Sequence, residues 1–380
     1  MPPTPHLFLP YHLIEQLISF FPVKSLMRFK CVSKSGNILV SDPTFVQLHL
    51  QRSQRNKNLL LTYGNHGDFG LVSLPISCLL DNTSITLSSH QLKHNERPGV
   101  IGSCNGLICL FYYTTSISWF RVWNPATGTM SDRLGYFHKP RSKFMPGPLG
   151  YTFFYDISTD NYKIVAFGYR FIRVFCFNHN VWREIQSLPD KIVIVDHLRY
   201  NKSVCLDGTL IWLAFLNEFP YNDWRDTFSI VRYLIISLDL ATETRRELLP
   251  PPVYDEVSDV VDPSISMLRN CLCFFYKFKR THFVLWQMTQ FGVEESWTQL
   301  FKISYENLQV EHFLCDFYRR LSLYPLYISE NGATLILAND REDQALIYNS
   351  RDNRVERRRI TNEIDWRLSE SYVESLVPTN

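Results

Sequence analysis

The chain has 380 residues, more than one hydrophobic core usually organises, so about two domains or one large repeat fold are expected. Hydrophobic residues make up 45% and charged residues 20%, a balance that excludes global disorder. Lys plus Arg number 39 against 37 Asp plus Glu, and a formal charge of +2 leaves no basic surplus for nucleic acid as a main ligand.

Residues 1–21 are apolar but lack a cationic start, carry Glu15 and show no small-residue cleavage site, so no signal peptide is expected. Apolar runs such as 210–216 reach about seven residues against the roughly 20 of a membrane span, and no membrane partner is expected. Nine cysteines, an odd number scattered along the chain, read as reduced buried thiols of a protein of the cytoplasm or nucleus.

From residue 9 to residue 50 the apolar residues recur at helical spacing. Pro10 suits a first turn, Leu13, Ile14, Leu17, Ile18 and Phe21 make one stripe, and Pro22 ends the helix. Leu26 and Phe29 among Lys24, Arg28 and Lys30 give a second helix, Ser33 caps a third, and Asp42-Pro43 starts a fourth with Phe45 and Leu48. Four helices in about 40 residues make a core so small that the unit is expected to lean on something else. Residues 51–57 are polar throughout, a linker or a solvated helix end.

Beyond them the chain is β-rich, with short Ile, Val, Leu, Phe, Tyr and Trp runs broken by turn residues. Asn105-Gly106, Asp207-Gly208 and Asn331-Gly332 sit between such runs as tight-hairpin signals, and Asp160-Asn161 and Arg269-Asn270 take the same place in two more segments. A second turn follows each time the pattern is clear, as at Trp123-Asn124-Pro125-Ala126-Thr127-Gly128, Phe177-Asn178-His179-Asn180, Leu240-Ala241-Thr242-Glu243 and Tyr348-Asn349-Ser350. The unit is therefore four strands with two tight turns, and its first turn recurs at positions 105, 160, 207, 269 and 331, the spacing of propeller blades with loop insertions. Residues 58–98 form an incomplete sixth blade that 371–377 is expected to complete. The expected fold is mainly β, a six-bladed β-propeller-like domain over residues 58–380 preceded by a small all-α unit over 1–50 and a linker over 51–57.

Strand parity puts the tight turns at one end of the propeller and the long insertions 131–147, 189–199, 217–228, 252–264 and 305–320 at the other. Tyr136, Phe137, Arg141 and Phe144 in one insertion and Phe219, Tyr221, Trp224 and Arg225 in another have the composition of interface anchors and are the target-binding candidates. Solvent-exposed variable insertions are the alternative. No Walker loop, dinucleotide fingerprint, nucleophile elbow or His-Glu-x-x-His motif occurs. Cys271 and Cys273 share one strand face without a zinc partner at suitable spacing, and His138, His179, His197, His282 and His312 are dispersed, so no catalytic residue, metal or cofactor is expected.

These residues resemble the plant F-box proteins with an F-box-associated domain of type 1, the F-box/kelch-repeat-like group. The F-box likeness lies in Leu9-Pro10, Ile14, Leu17, Pro22-Val23-Lys24-Ser25-Leu26, Arg28-Phe29-Lys30-Cys31-Val32-Ser33-Lys34, Ile38, Asp42-Pro43 and Phe45. The associated-domain likeness lies in Gly102-Ser103-Cys104-Asn105-Gly106-Leu107, Trp123-Asn124-Pro125-Ala126-Thr127, Gly150-Tyr151, Asp160-Asn161-Tyr162-Lys163-Ile164-Val165, Asp207-Gly208, Trp212-Leu213-Ala214, Glu295-Ser296-Trp297 and Tyr372-Val373-Glu374-Ser375-Leu376. The resemblance implies a non-catalytic substrate-recognition subunit of a ubiquitin ligase. It would dock on a Skp-type linker, and through it on cullin and RING subunits, while the second domain captures a target protein. Linker contacts then fall to Leu9, Pro10, Ile14, Leu17, Pro22, Val23, Leu26, Phe29 and Val32. One departure stands out: Gly36 occupies the place where the family usually has Trp, which is expected to weaken assembly, so that Gly36→Trp should strengthen it. The alternatives are a ligase-independent scaffold with a degenerate F-box and a propeller-type enzyme or glycan-binding protein.

Overall fold

The computed structural model describes residues 10–54, 58–65, 68–81, 88–91, 98–138, 150–168, 171–186, 192–194, 203–216, 232–252, 260–310, 323–339, 344–359 and 364–379. Four helices open the chain, α1 (Tyr11–Ile18), α2 (Val23–Val32), α3 (Lys34–Ser41) and α4 (Pro43–Ser53). Pro10 and Pro22 precede α1 and α2, where a missing N–H costs nothing. Ser33 caps α3 by accepting from the Gly36 amide at 2.9 Å, and Asp42 caps α4 by accepting from the Thr44 amide at 2.8 Å. The hydrogen bonds from Thr44, side chain first, hold the Asp42 carboxyl below its usual range. Helix α1 stops at Ile18, before Pro22, and α4 runs on to Ser53, so the stretch expected as a linker or helix end begins as helix.

The remaining described chain is a six-bladed β-propeller, each blade an antiparallel sheet. Blade 1 has strands Asn58–Asn65, Asp68–Pro75 and Ser88–Gln91, with a short helix Ile76–Leu80 between the last two. Blade 2 has Gly99–Cys104, Leu107–Tyr113, Ile117–Asn124 and Thr129–Met130, with Leu134–His138 also paired to the third strand. Blade 3 has Gly150–Asp156, Asn161–Phe167, Ile172–Cys176 and Val181–Gln186. Blade 4 has Val204–Leu206, Thr209–Leu216, Arg232–Asp239 and Arg245–Leu248, with Ile192–Ile194 added on the second strand. Blade 5 has Val260–Leu268, Cys271–Phe278, His282–Met288 and Trp297–Ser304, and blade 6 has Leu323–Ile328, Thr334–Asn339, Gln344–Asn349 and Arg354–Arg359.

The ring closes on blade 1, where Ile364–Tyr372 pairs antiparallel with Asn58–Asn65 and brings Tyr372 opposite Asn58. Closure by a late strand beside 58–98 is as expected, but the strand is Ile364–Tyr372 and not 371–377. Residues 373–379 leave the sheet and have no regular secondary structure, yet Ser375, Leu376, Val377 and Thr379 are buried.

The first turns form as the sequence requires. Cys104 faces Leu107, Leu206 faces Thr209 and Leu268 faces Cys271 across two-residue loops, with positive φ at both central positions of each. Asparagine, aspartate and glycine tolerate that conformation, and Arg269 adopts it too. In blade 3 the buried Asp156 accepts from Lys163 of the neighbouring strand. Burial alone would raise its carboxyl, but the bonds from Lys163, Ser158 and Thr159 win and hold it well below the ordinary range.

Apolar cores fill the blade interfaces. The clusters between blades 1 and 2, 3 and 4, 4 and 5, 5 and 6, and 6 and 1 contain no residue of α1 to α4. The cluster between blades 2 and 3 continues into the helices, joining Leu107, Phe120, Phe153 and Phe175 to Val23, Leu26, Phe45 and Leu50 and to Leu376 and Val377 of the tail. A helical unit too small for its own core thus borrows one from the propeller.

Candidate functional site

The helices sit at the tight-turn end. The chain enters blade 1 at Asn58 and leaves it at Tyr372, paired neighbours at that end of the sheet, so helical unit and tail share one face, and the strand ends that border the 217–228 insertion, Leu216 and Arg232, lie at the other. Helix α1 has no buried residue, and it shows Tyr11, Leu13 and Leu17 (56% exposed) to solvent, followed by Phe20 (65%) and Phe21. Val32 (80%) and Ile38 (69%) are bare on α2 and α3. These exposed large apolar side chains all stand on about 30 residues of the helical unit.

The end of α1 is fastened from α4. Arg52 donates to the Gln16 carbonyl, the Gln16 side chain and the Ser19 hydroxyl, and its guanidinium lies 4.0 Å from the Phe20 ring centre. His49 Nε2 donates to the Phe21 carbonyl at 3.0 Å. Burial lowers the His49 pKa, with the Phe21 carbonyl and the Glu374 charge opposing. A small cleft beside this joint is walled by Phe21, His49, Arg52, Asn58 and Glu374.

The expected linker contacts divide. Pro10, Leu17, Pro22 and Val32 are exposed, Ile14 and Phe29 are half-buried, and Leu9 lies outside the described residues. Val23 and Leu26 are fully buried in the core shared with blades 2 and 3, so here they hold the helices together and offer no contact surface. Gly36 is buried too, and a Cβ on it would stand 2.8 Å from the Phe29 carbonyl oxygen, a backbone atom. In this chain α3 approaches α2 too closely for any side chain there, so the expected gain from Gly36→Trp is withdrawn.

On the opposite face, Tyr136 is exposed. Phe137 is not an anchor, because it is 7% exposed, stands edge-on to Trp182 at 5.7 Å and takes the Arg173 guanidinium over its ring at 5.5 Å. It is glue between blades 2 and 3. Arg141, Phe144, Phe219, Tyr221, Trp224 and Arg225 lie outside the described residues. Tyr113, exposed and stacked on Phe111 at 5.7 Å, ends the second strand of blade 2 at this face and was not among the candidates. Its signal in the sequence is a strand running directly into Thr114-Thr115-Ser116.

Burial pushes the Cys104 thiol up to about 11 and those of Cys205 and Cys273 to about 12, away from the thiolate form. Of the described cysteines only Cys109 and Cys273 are fully buried, Cys78, Cys104, Cys176, Cys205 and Cys271 are half-buried and Cys31 is exposed, so the expectation of buried thiols holds only in part. Among the described residues no three His, Cys, Asp or Glu side chains converge as a metal site.

Family models match both parts of this arrangement, the helices and the six-bladed propeller. The model of the F-box domain matches residues 7–47, that of the F-box associated beta propeller domain matches residues 70–379, and the chain belongs to the F-box associated beta propeller family. It is 29% identical over 346 residues to the F-box/kelch-repeat protein At3g23880 of Arabidopsis thaliana, covering 88% of this chain and 86% of that one. It is 27% identical to the F-box protein CPR1 of the same plant, covering 78% of this chain and 73% of the relative, and 22% identical to the F-box/LRR-repeat/kelch-repeat protein At2g27520, covering 97% of each.

Proposed function

We propose that the chain is a non-catalytic substrate-recognition subunit of a ubiquitin ligase of the Skp, cullin and F-box type, working in the cytoplasm or nucleus. The observation that carries the reading is the division of the helices into a face sunk in the propeller core and a bare apolar face. Leu13 and Leu17 on α1, Phe20 and Phe21 after it, and Val32 and Ile38 on the next two helices dock on the Skp-type linker, which brings cullin and RING subunits. The opposite end of the propeller, with Tyr113 and Tyr136, captures the target protein. Because helices and propeller share a core, a bound target would be held at a fixed distance from the transfer machinery. Affinity capture of the tagged chain with the proteasome blocked tests the whole reading. Recovery of a Skp-type linker, cullin and an accumulating target supports it. Stable recovery of another protein without linker would favour the ligase-independent scaffold.

A further inference from the structure

Three sequence motifs that read only as turns and a strand meet at one place. Asn105-Gly106 and Trp123-Asn124-Pro125 lie on the tight-turn end of blade 2, and residues 373–379 pack against both. Asn124 is 0% exposed, and its amide nitrogen donates to the Ser375 carbonyl at 3.0 Å and the Val377 carbonyl at 2.9 Å. Its Oδ1 does a separate job, capping the turn by accepting from the Ala126 amide at 3.0 Å and the Thr127 amide at 3.3 Å.

Blade 4 supplies the internal comparison. Asp239 occupies the same place there and caps its turn with a carboxylate, accepting from the Ala241 amide at 2.9 Å and the Thr242 amide at 2.8 Å. An amide is therefore not needed for the turn; at Asn124 its hydrogens go to the tail. Gly106 and Gly208 hold the same first-turn position with φ of +79° and +78°. A Cβ on Gly208 would meet nothing within 4 Å, whereas on Gly106 it would stand 2.3 Å from Ser375 Oγ and 2.7 Å from the Val373 carbonyl. Blade 2 is shaped to receive the tail, and Leu376 and Val377 carry that contact into the cluster that contains Leu26, Phe45 and Leu50.

We propose that residues 373–379, seated by Asn124 and Gly106, form a clasp that completes the core of the helical unit, so that its docking face is ordered only when the clasp is closed. Asn124 and Gly106 are positioning residues: they act on the helices through the tail. The consequence for ligase assembly rests on the function proposed above, while the clasp itself does not.

Amide hydrogen exchange on the full chain tests it. Asn124→Asp keeps the turn acceptor and removes the donors to the tail, and Asn349→Asp, at the corresponding turn of blade 6 where Oδ1 accepts from the Arg351 amide at 3.0 Å, is the control. Asn124→Asp should speed exchange in α1 to α4 and in 373–379 by tenfold or more while the strands of blades 4 to 6 keep their rates, and Asn349→Asp should leave the helices as they are. Gly106→Ala should loosen the helices more than Gly208→Ala, which carries the backbone strain without the tail contact. Unchanged helices in both blade 2 variants, or helices and distant blades loosening by the same factor, would overturn the clasp. Capture of purified Skp-type linker should fall in step with helix protection. If the unaltered chain captures no linker while Asn124→Asp still frees the helices, the clasp stands and the ligase reading falls.

Discussion

Replacing Leu26 by Ala separates core from contact in the second helix. Leu26 is wholly buried in the cluster that joins the helices to blades 2 and 3. The truncation removes three carbon groups at about 0.8 kcal/mol each, and the cavity it leaves raises the loss to about 3–5 kcal/mol. For four short helices that borrow their core, this exceeds what local folding can spare, while the distant blades keep their own cores. Leu17, more than half exposed, loses no comparable packing, and its Ala variant should stay within about 0.5 kcal/mol of the parent. Amide exchange over α1 to α4, referenced to the strands of blades 4 to 6, reads stability, and titration with purified Skp-type linker reads binding. Leu26→Ala should loosen the helices and bind less linker only for that reason. Leu17→Ala should leave exchange unchanged and weaken binding by about tenfold, or about 1.4 kcal/mol. A Leu26→Ala chain with parental exchange but weakened linker binding would refute the core assignment.

Gly36→Trp should part α2 from α3, because even the first side-chain carbon meets the Phe29 carbonyl, and linker capture should fall; stronger capture would show that the helices accommodate the aromatic. Removing residues 364–380 takes away the strand that closes blade 1 and should lower the melting temperature of the propeller by about 10 °C or more, whereas removing only 373–380 should spare most of it; equal losses would contradict closure by Ile364–Tyr372. His49 gives a pH test. Its folded pKa lies below the unfolded value of about 6.5, so the unfolded chain binds the proton more readily and stability falls as pH drops below about 6.5. Corrected for the intrinsic amide rate, which itself falls with pH, the protection of the helices should be lower at pH 5 than at pH 7.5, and His49→Gln should flatten that difference; an unchanged pH dependence of protection would mean that another group controls it.

The repeat was legible because each blade announces itself with short-range chemistry. Asn105-Gly106, Asp207-Gly208 and Arg269-Asn270 all adopt the left-handed turn that their positions between strands imply. The closing strand was misplaced for a physical reason. Residues 371–377 carry the apolar side chains that a strand normally shows, but Leu376 and Val377 are spent on the core beneath the helices, while the ladder falls to the more polar 364–372, whose place is set by pairing with Asn58–Asn65. Helical periodicity likewise gave the stripe of α1 but not its cover: Ile14 and Ile18 turn partly inward, and Leu13 and Leu17 remain bare. Val23 and Leu26 match a family motif that a sequence alone assigns to the partner, and only the neighbouring propeller reveals them as core. Asn124 read as a turn residue because its second task depends on carbonyls some 250 residues further along the chain.

The most direct measurement is titration of the purified chain with a purified Skp-type linker, followed by calorimetry and by mass in solution. A one-to-one complex that Leu17→Asp and Phe21→Asp abolish, with exchange in α2 to α4 unchanged, is the expected result. A folded chain that forms no complex, or one whose complex survives both charges on that face, would contradict the docking role of these helices.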